Sequence, residues 1–339
     1  YIRLKNYFKI MITEAYLEGF DYIGQPLATE NIEFSLTQFL DWGYLNKGGY
    51  YNIYLTTSGN SSELYSKLRL SEDSRYTKGQ VWESMRKNWV WESGVAVTPA
   101  PINISGVYVN NTFYPSNTSG QYSHKIDYPN GRIIFDSPIS TTSTVKCEYS
   151  FKKINIHNSN TPLLKYLQYD SLRKDKGGFD LYGSGNWALY PEQRLQLPCV
   201  VVQAVPSIVN STAYEVGNYS TEKSQEVLFH IIGEDSNEVK FIHDTIILQH
   251  PRELFTIDKS LMIKNQAFPL NYTGNISDKS KVFPELIKHK SQGGYRWKQI
   301  TFSDVNSIGS NYVDLSRFYS KTLLSDYIVV RGYFKVLLP

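Results

Sequence analysis

Soft and imidazole ligands are scarce in this sequence: two cysteines, three methionines and six histidines in 339 residues. Cys147 and Cys199 each lie in an apolar, strand-like run, and they read as buried free thiols of a protein assembled in a reducing cytosol. No CxxC or HExxH spacing occurs. His230 and Glu234 stand four apart, which suits a metal only on a helix; on the strand expected there, such residues lie about 13 Å apart. His243-Asp244 has no second histidine at ligand spacing. A GxSxG elbow, a Walker sequence and a GxGxxG fingerprint are all missing. The carboxylate pairs are ordinary: Glu14 and Glu18 read as the wet face of a helix, Asp127 and Asp136 as turn and strand-edge residues. The sequence therefore points to no catalytic residue, no metal, no cofactor and no small-molecule substrate.

Charge of one sign is also short. The net charge of +3 gives no footprint for specific nucleic-acid binding, and Lys152-Lys153 and the lysines of 279–290 are the nearest approach to a basic patch. No apolar run approaches the roughly twenty residues of a membrane span, and no stretch reads as a secretory leader.

What the sequence has in plenty is aromatic side chains, at 14%, with 27 tyrosines against 20% charged residues. That is a folded composition, rich in residues that favour strands and interfaces. An AT-rich coding sequence would enrich Tyr, Asn, Ile and Lys as well. The centre of the chain is 106–151. There Val107 and Val109, then Val145, Cys147, Tyr149 and Phe151, alternate with polar neighbours, the period of half-buried strands. Pro129-Asn130-Gly131 supplies a hairpin turn, and Pro138 closes the strand Ile133-Ile134-Phe135.

The expected fold class is α+β and rich in strands. It comprises an N-terminal helical segment, an antiparallel β-sandwich-like module, and a second small α+β domain with a mixed sheet and one flanking helix. The divisions are 1–97 for the N-terminal helices and an aromatic segment, 98–157 for the sandwich, 158–194 for a loop-rich linker, and 195–339 for the α+β domain. Helices are expected over 7–19 and 33–43 and strands over 50–56 and 68–70. In the last domain, Leu195–Gln203 reads as a strand buried on both faces, paired with Glu226–Ile232. Between them, 205–223 makes an exposed hairpin or loop. Asp235 and Glu238 cap a helix whose apolar stripe is Val239, Ile242, His243, Ile246 and Ile247. A strand follows at 253–257, a polar arm at 259–295, and closing strands at 296–302 and 328–337.

The segment 82–91 holds three tryptophans. Its aromatics could cradle a sugar, with Arg86 and Glu92 as polar handles, or pack an internal junction or a subunit contact. As interface candidates the sequence offers Trp82, Trp89, Trp91, Tyr108, Tyr114, Tyr214 and Tyr219.

The 106–151 signature (Gly-Val-Tyr-Val, then Tyr-x-His-x-Ile-Asp-Tyr-x-Asn-Gly-Arg-Ile-Ile-Phe-Asp, then Ser-Thr-Val-Lys-x-Glu-Tyr-Ser) resembles a module of tailed-phage virion proteins. Further stretches are similar to virion structural proteins of contractile-tailed marine phages, those of cyanobacteria especially. They are Leu68–Leu70, Arg75–Trp82, Asn88–Gly94, Leu195–Pro198 and Val227–Glu234. The strand, strand, helix, strand order of the last domain is also similar to tail-terminator and neck proteins. The resemblance implies a non-enzymatic building block of the virion, assembled in the host cytoplasm. Its partners would be copies of itself, in a ring expected to be hexameric, and other neck or tail proteins. A collar, baseplate or fibre-attachment protein, or a carbohydrate- or receptor-binding module, is the alternative.

Overall fold

The computed structural model describes residues 28–55, 65–92, 94–159, 196–204, 209–215, 218–233, 236–249, 253–255, 297–307 and 320–335. The helix expected over 7–19, the Asp235 cap, the linker 158–194 from residue 160 on, and the arm 259–295 lie outside them.

The first described element is α1, Ala28–Leu45. Ile32, Leu36 and Leu40 recur one turn apart and are buried, which gives the helix a single apolar stripe. The polar residues beside that stripe are satisfied locally: Ser35 Oγ donates to Asn31 O and Thr37 Oγ1 donates to Glu33 O at 2.8 Å. The helix stops where Gly48 takes a φ of +82°, and Gly49 N–H closes onto Tyr44 O at 2.8 Å.

Nine short strands follow: β1 (Tyr50–Ile53), β2 (Arg69–Leu70), β3 (Val81–Glu83), β4 (Gly106–Val109), β5 (Thr112–Pro115), β6 (His124–Asp127), β7 (Arg132–Phe135), β8 (Val145–Lys146) and β9 (Tyr149–Lys152). They form three small antiparallel sheets: β1-β9, β2-β3-β7-β6 and β5-β4-β8. All three contribute to one core, which includes Leu68, Trp82, Trp89, Val107, Ile133, Phe135, Val145, Cys147 and Tyr149. The pairings of β3 with β7 and of β1 with β9 cross the division drawn at 97/98. The aromatic segment thus shares its core with the strands that follow it.

The hairpin expected at Pro129-Asn130-Gly131 is present and joins β6 to β7, but its turn is not the tight primed one. At β6–β7 the loop is Tyr128-Pro129-Asn130-Gly131, and only Gly131 takes a positive φ. The two-residue turn sits instead between β4 and β5, where Asn110 and Asn111 have φ of 50° and 66°. Both positive angles are what a tight primed turn needs, and asparagine tolerates them.

β10 (Asn155–Asn158) begins after only Lys153 and Ile154, and it carries the chain into a mixed seven-stranded sheet. The other members are β11 (Cys199–Ala204), β12 (Val209–Glu215), β13 (Asn218–Gly233), β14 (Glu253–Phe255), β15 (Trp297–Ser307) and β16 (Ser320–Lys335). β10 and β11 run parallel, while the other pairs are antiparallel. β13 is longer than its apolar part. Its polar first half pairs with β12, its apolar second half pairs with β11, and its whole length pairs with β16.

α1 and α2 (Ser236–Ile247) share one core with this sheet. Val200, Val202, Val227, Phe229 and Ile231 meet Ile32, Leu36 and Leu40 of α1 and Val239, Ile242 and Ile246 of α2. The sixteen residues of β13 or β16 span about 50 Å, whereas the twelve of α2 span about 18 Å. A large part of these strands therefore extends beyond α2. The fold class is the expected one: α+β, rich in strands, with an N-terminal helix and one helix flanking a mixed sheet. Among the described residues no helix is long and apolar enough to cross a membrane.

Candidate functional site

The aromatic residues singled out from the sequence separate into three groups. Trp82 and Trp89 are 4% and 1% exposed, and their indole N–H groups donate to Gly79 O and Arg86 O. Trp89 also stacks on Tyr149, with ring centroids 4.4 Å apart. The chain itself covers both residues. Trp91, Tyr108 and Tyr114 are half-buried; Tyr108 lies against Phe113 and Tyr114 against Tyr122. Tyr214 falls where β12 shifts register between Ala213 and Glu215, and Tyr219 lies on β13 between Ala213 and Phe334.

Other aromatics reach the surface. Tyr51 is 53% exposed, and Tyr54, Phe113 and Phe241 are also exposed, as is the aliphatic Met85. Around Tyr51, rings and cations alternate. Lys153 Nζ lies 4.4 Å from the Tyr51 centroid, the Tyr51 and Phe151 centroids are 5.4 Å apart, and the Arg86 guanidinium lies over both Phe151 and Tyr65. The signal for this face was the Tyr50-Tyr51-Asn52-Ile53-Tyr54 run. Tyr50 and Tyr51 are neighbours on one strand, so they cannot both turn inward.

Two buried ion clusters stand inside the chain. In the first, Arg132 Nε donates to Asp127 Oδ2 at 2.6 Å and Arg132 Nη1 donates to Asp73 Oδ2 at 3.0 Å. Arg75 grips Asp73 through Nε and Nη2, and Tyr76 lies under the Arg132 guanidinium. Hydrogen bonds from Arg75, with Arg132 adding to them, hold the Asp73 carboxyl well below the usual carboxylate range despite burial. Asp127 also accepts from Asn130 at the β6–β7 turn, the turn role that its position suggests.

The second cluster joins elements distant in sequence. Lys152 Nζ, at the end of β9, lies 2.6 Å from Asp41 Oδ2 on α1 and 2.5 Å from Glu92 Oε1. Glu92 Oε2 accepts from Trp91 N–H at 3.1 Å. The three side chains are 12%, 15% and 6% exposed. Burial pushes the Glu92 carboxyl up to about 7; Lys152 pulls it down and Asp41 adds to the rise. For Lys152 burial favours the neutral amine, but the two carboxylates outweigh it and the net shift is upward. His157, on β10, is pushed down to about 4 by burial, with Asp41 opposing and Lys152 assisting. Its Nε2 is buried without a hydrogen-bond partner. Lys152, half of the Lys152-Lys153 pair, thus turns inward, while Lys153 caps the exposed Tyr51 ring. Glu92 is bound to Lys152 and is not a free handle beside Arg86.

The remaining reactive types are held quiet. Burial pushes the Cys199 thiol up to about 12 and the Cys147 thiol higher still, so neither supplies a thiolate. Ser84 Oγ lies 2.5 Å from the Tyr149 hydroxyl, whose ionisation burial also opposes. His124 Nδ1 bonds Tyr122 O at 2.9 Å and burial favours its neutral form; His230 Nε2 meets Gln203 Oε1 at 2.9 Å. Among the described residues no three His, Cys, Asp or Glu side chains gather as a metal would need. Set beside known proteins, the chain matches no family model and no curated protein.

Proposed function

We propose that this chain is a structural subunit of a tailed-phage virion, forming a ring in the neck or tail through contacts with copies of itself and with neighbouring virion proteins. The observation that carries this reading is the exposed Tyr51 ring, which lies between half-buried Lys153 and buried Phe151, with the half-buried Arg86 guanidinium over Phe151 and Tyr65. Tyrosine and arginine are enriched among the residues that anchor protein contacts, and tyrosine buries much area at little entropic cost. Here the stacked cations hold the rings in place before any partner arrives. The extended β12-β13-β16-β15 sheet offers a second broad surface, with Tyr214 at the bulge of β12. The motif resemblance supplies the virion context.

Sedimentation of the purified chain, alone and with extracts of assembling particles, tests the proposal. An oligomer, or co-assembly with particles that Tyr51→Ser together with Arg86→Ala weakens at least tenfold, is the expected result. A chain that stays monomeric and is missing from purified particles overturns it. A sugar-binding surface on Trp82 and Trp89 is not supported, since both rings face the core.

A further inference from the structure

The Lys152 cluster is an expensive way to hold α1 against the sheets. Two carboxylates face one ammonium in a largely water-free site, and a buried ion pair of this kind adds little net stability over apolar packing. The arrangement is better explained by what the three groups can do to one another. A lysine amine is a nucleophile once desolvated and relieved of its proton. Its Nζ touches Oδ2 of Asp41 at 2.6 Å, an oxygen bonded directly to Cγ. Nitrogen and carbon therefore stand near the separation of about 3–3.5 Å from which reaction proceeds. Glu92 Oε1 touches the same nitrogen at 2.5 Å, while its Oε2 is fixed by the Trp91 amide.

We propose that Lys152 and Asp41 condense to an intramolecular amide, with Glu92 as the catalytic proton carrier. The step balances without any added reactant. The Lys152 ammonium passes one proton to Glu92, and the neutral Nζ attacks Cγ of Asp41. The C–N bond forms, and one Cγ–O bond of the carboxylate breaks. The departing oxygen takes the proton from Glu92 and a second from Nζ, and it leaves as water. One cation and one anion become a neutral amide, and Glu92 returns to its starting state.

The two acids divide the roles by their surroundings. Glu92 is the more buried and is anchored on both oxygens, so it holds and returns a proton without moving. Its affinity for a proton near neutral pH suits both transfers. Asp41 sits at the less enclosed edge, on the helix that the bond would tie down. Condensation of free acid and amine in water is disfavoured, but fixed neighbours gain an effective concentration many orders of magnitude above molar. The reaction is a single turnover, so it need not be fast. It rests on the arrangement of these three side chains and is independent of the virion reading.

The test is the mass of the intact wild-type chain after denaturation, followed by a tryptic map. The expected chain is lighter than its sequence by one water. The peptides 10–47 and 147–153 should be recovered joined, because trypsin no longer cuts after Lys152. Lys152→Arg, which keeps the charge, should abolish the joined pair; Glu92→Gln, which keeps the shape, should reduce it at least tenfold. Wild-type peptides recovered separately, with cleavage after Lys152, would overturn the proposal and leave an ion cluster only. A joined pair undiminished in Glu92→Gln would overturn the part assigned to Glu92. The wild-type map decides the main point even if a variant fails to fold.

Discussion

The two buried ion clusters use the same ingredients and reach opposite electrostatic states. Around Arg132, two guanidinium groups meet two aspartates with forked hydrogen bonds, and the Asp73 carboxyl is driven toward its charged form. Around Lys152, one ammonium serves two carboxylates, and burial of the excess negative charge drives Glu92 toward its neutral form. The difference lies in which cause is largest: at Glu92 it is burial, with Asp41 adding to it, whereas at Asp73 the hydrogen bonds from Arg75 outweigh burial. The Arg132 cluster ties the loop after β2 to the β6–β7 hairpin within one core. The Lys152 cluster spans two cores, and its imbalance is the source of its chemistry.

The comparison is broken most severely by removing the central cation of the balanced cluster. Arg132→Met leaves Asp127 and Asp73 buried with Arg75 alone nearby, and it should cost about 3–5 kcal/mol in denaturant unfolding. Relative to Lys152→Arg, which keeps the cation but cannot form the amide, Lys152→Met should cost about 3 kcal/mol at pH 8 and distinctly less at pH 6, because Glu92 then takes up a proton and only Asp41 stays charged. If the loss were equal at the two pH values, Glu92 would not be the group that absorbs the charge. Smaller again is Asn110→Ala at the primed turn. It strains a φ of 50° and removes the bond from Thr144 N–H to Asn110 Oδ1, for about 1–2 kcal/mol.

The finest contrast is in the pH profile. Asp73, held low, contributes stability that is present above the ordinary carboxylate range and lost as pH falls through it. Glu92, raised in the folded chain, contributes in the opposite sense: its share is present below about 4.5 and is lost as pH rises toward 7. His157, lowered to about 4, loses stability as pH falls from 6.5 to 4, so it opposes Glu92 there. His157→Gln should therefore make the protein comparatively more stable at pH 5 than at pH 7, read as unfolding midpoints at the two pH values. A profile unchanged by that substitution would remove His157 from the account. In a chain already joined at Lys152, the Glu92 share is read from the Lys152→Arg variant.

Much of the fold was legible because burial is periodic. Val107 and Val109, the Val145–Phe151 alternation, the Cys199–Val202 run and the Val239-Ile242-Ile246 stripe each announce an element and the side it buries. Pairing was less legible, because β1 with β9 and β3 with β7 join segments whose local patterns carry no address. The hairpin allowed for over 205–223 is present as β12 with the first half of β13, but the continuation of β13 as one strand was not legible, because Ser220–Glu226 carries no apolar alternation. Strand there is imposed by β12 and β16 on either side, not by its own alternation. Asn110-Asn111 went unread as a turn because Asn-Gly at 130–131 carries the stronger signal.

For the clusters, sequence gave little. Asp41, Glu92 and Lys152 are unremarkable one at a time, and only the fold brings them within hydrogen-bond distance. The aromatic segment showed the limit of composition. Tryptophan density marked 82–91 as important, but the exposed rings among the described residues are Tyr51, Tyr54, Phe113 and Phe241.

α1 comes early in the chain, yet Ile32, Leu36 and Leu40 find their cover on β11, β13 and α2. During synthesis the ribosome therefore releases a helix with an uncovered greasy stripe long before Cys199 emerges, while the three small sheets in between already have all their strands. Assembly order then runs middle first and flanks last, and a nascent chain stalled before β11 should be a substrate for chaperones that hold apolar helices.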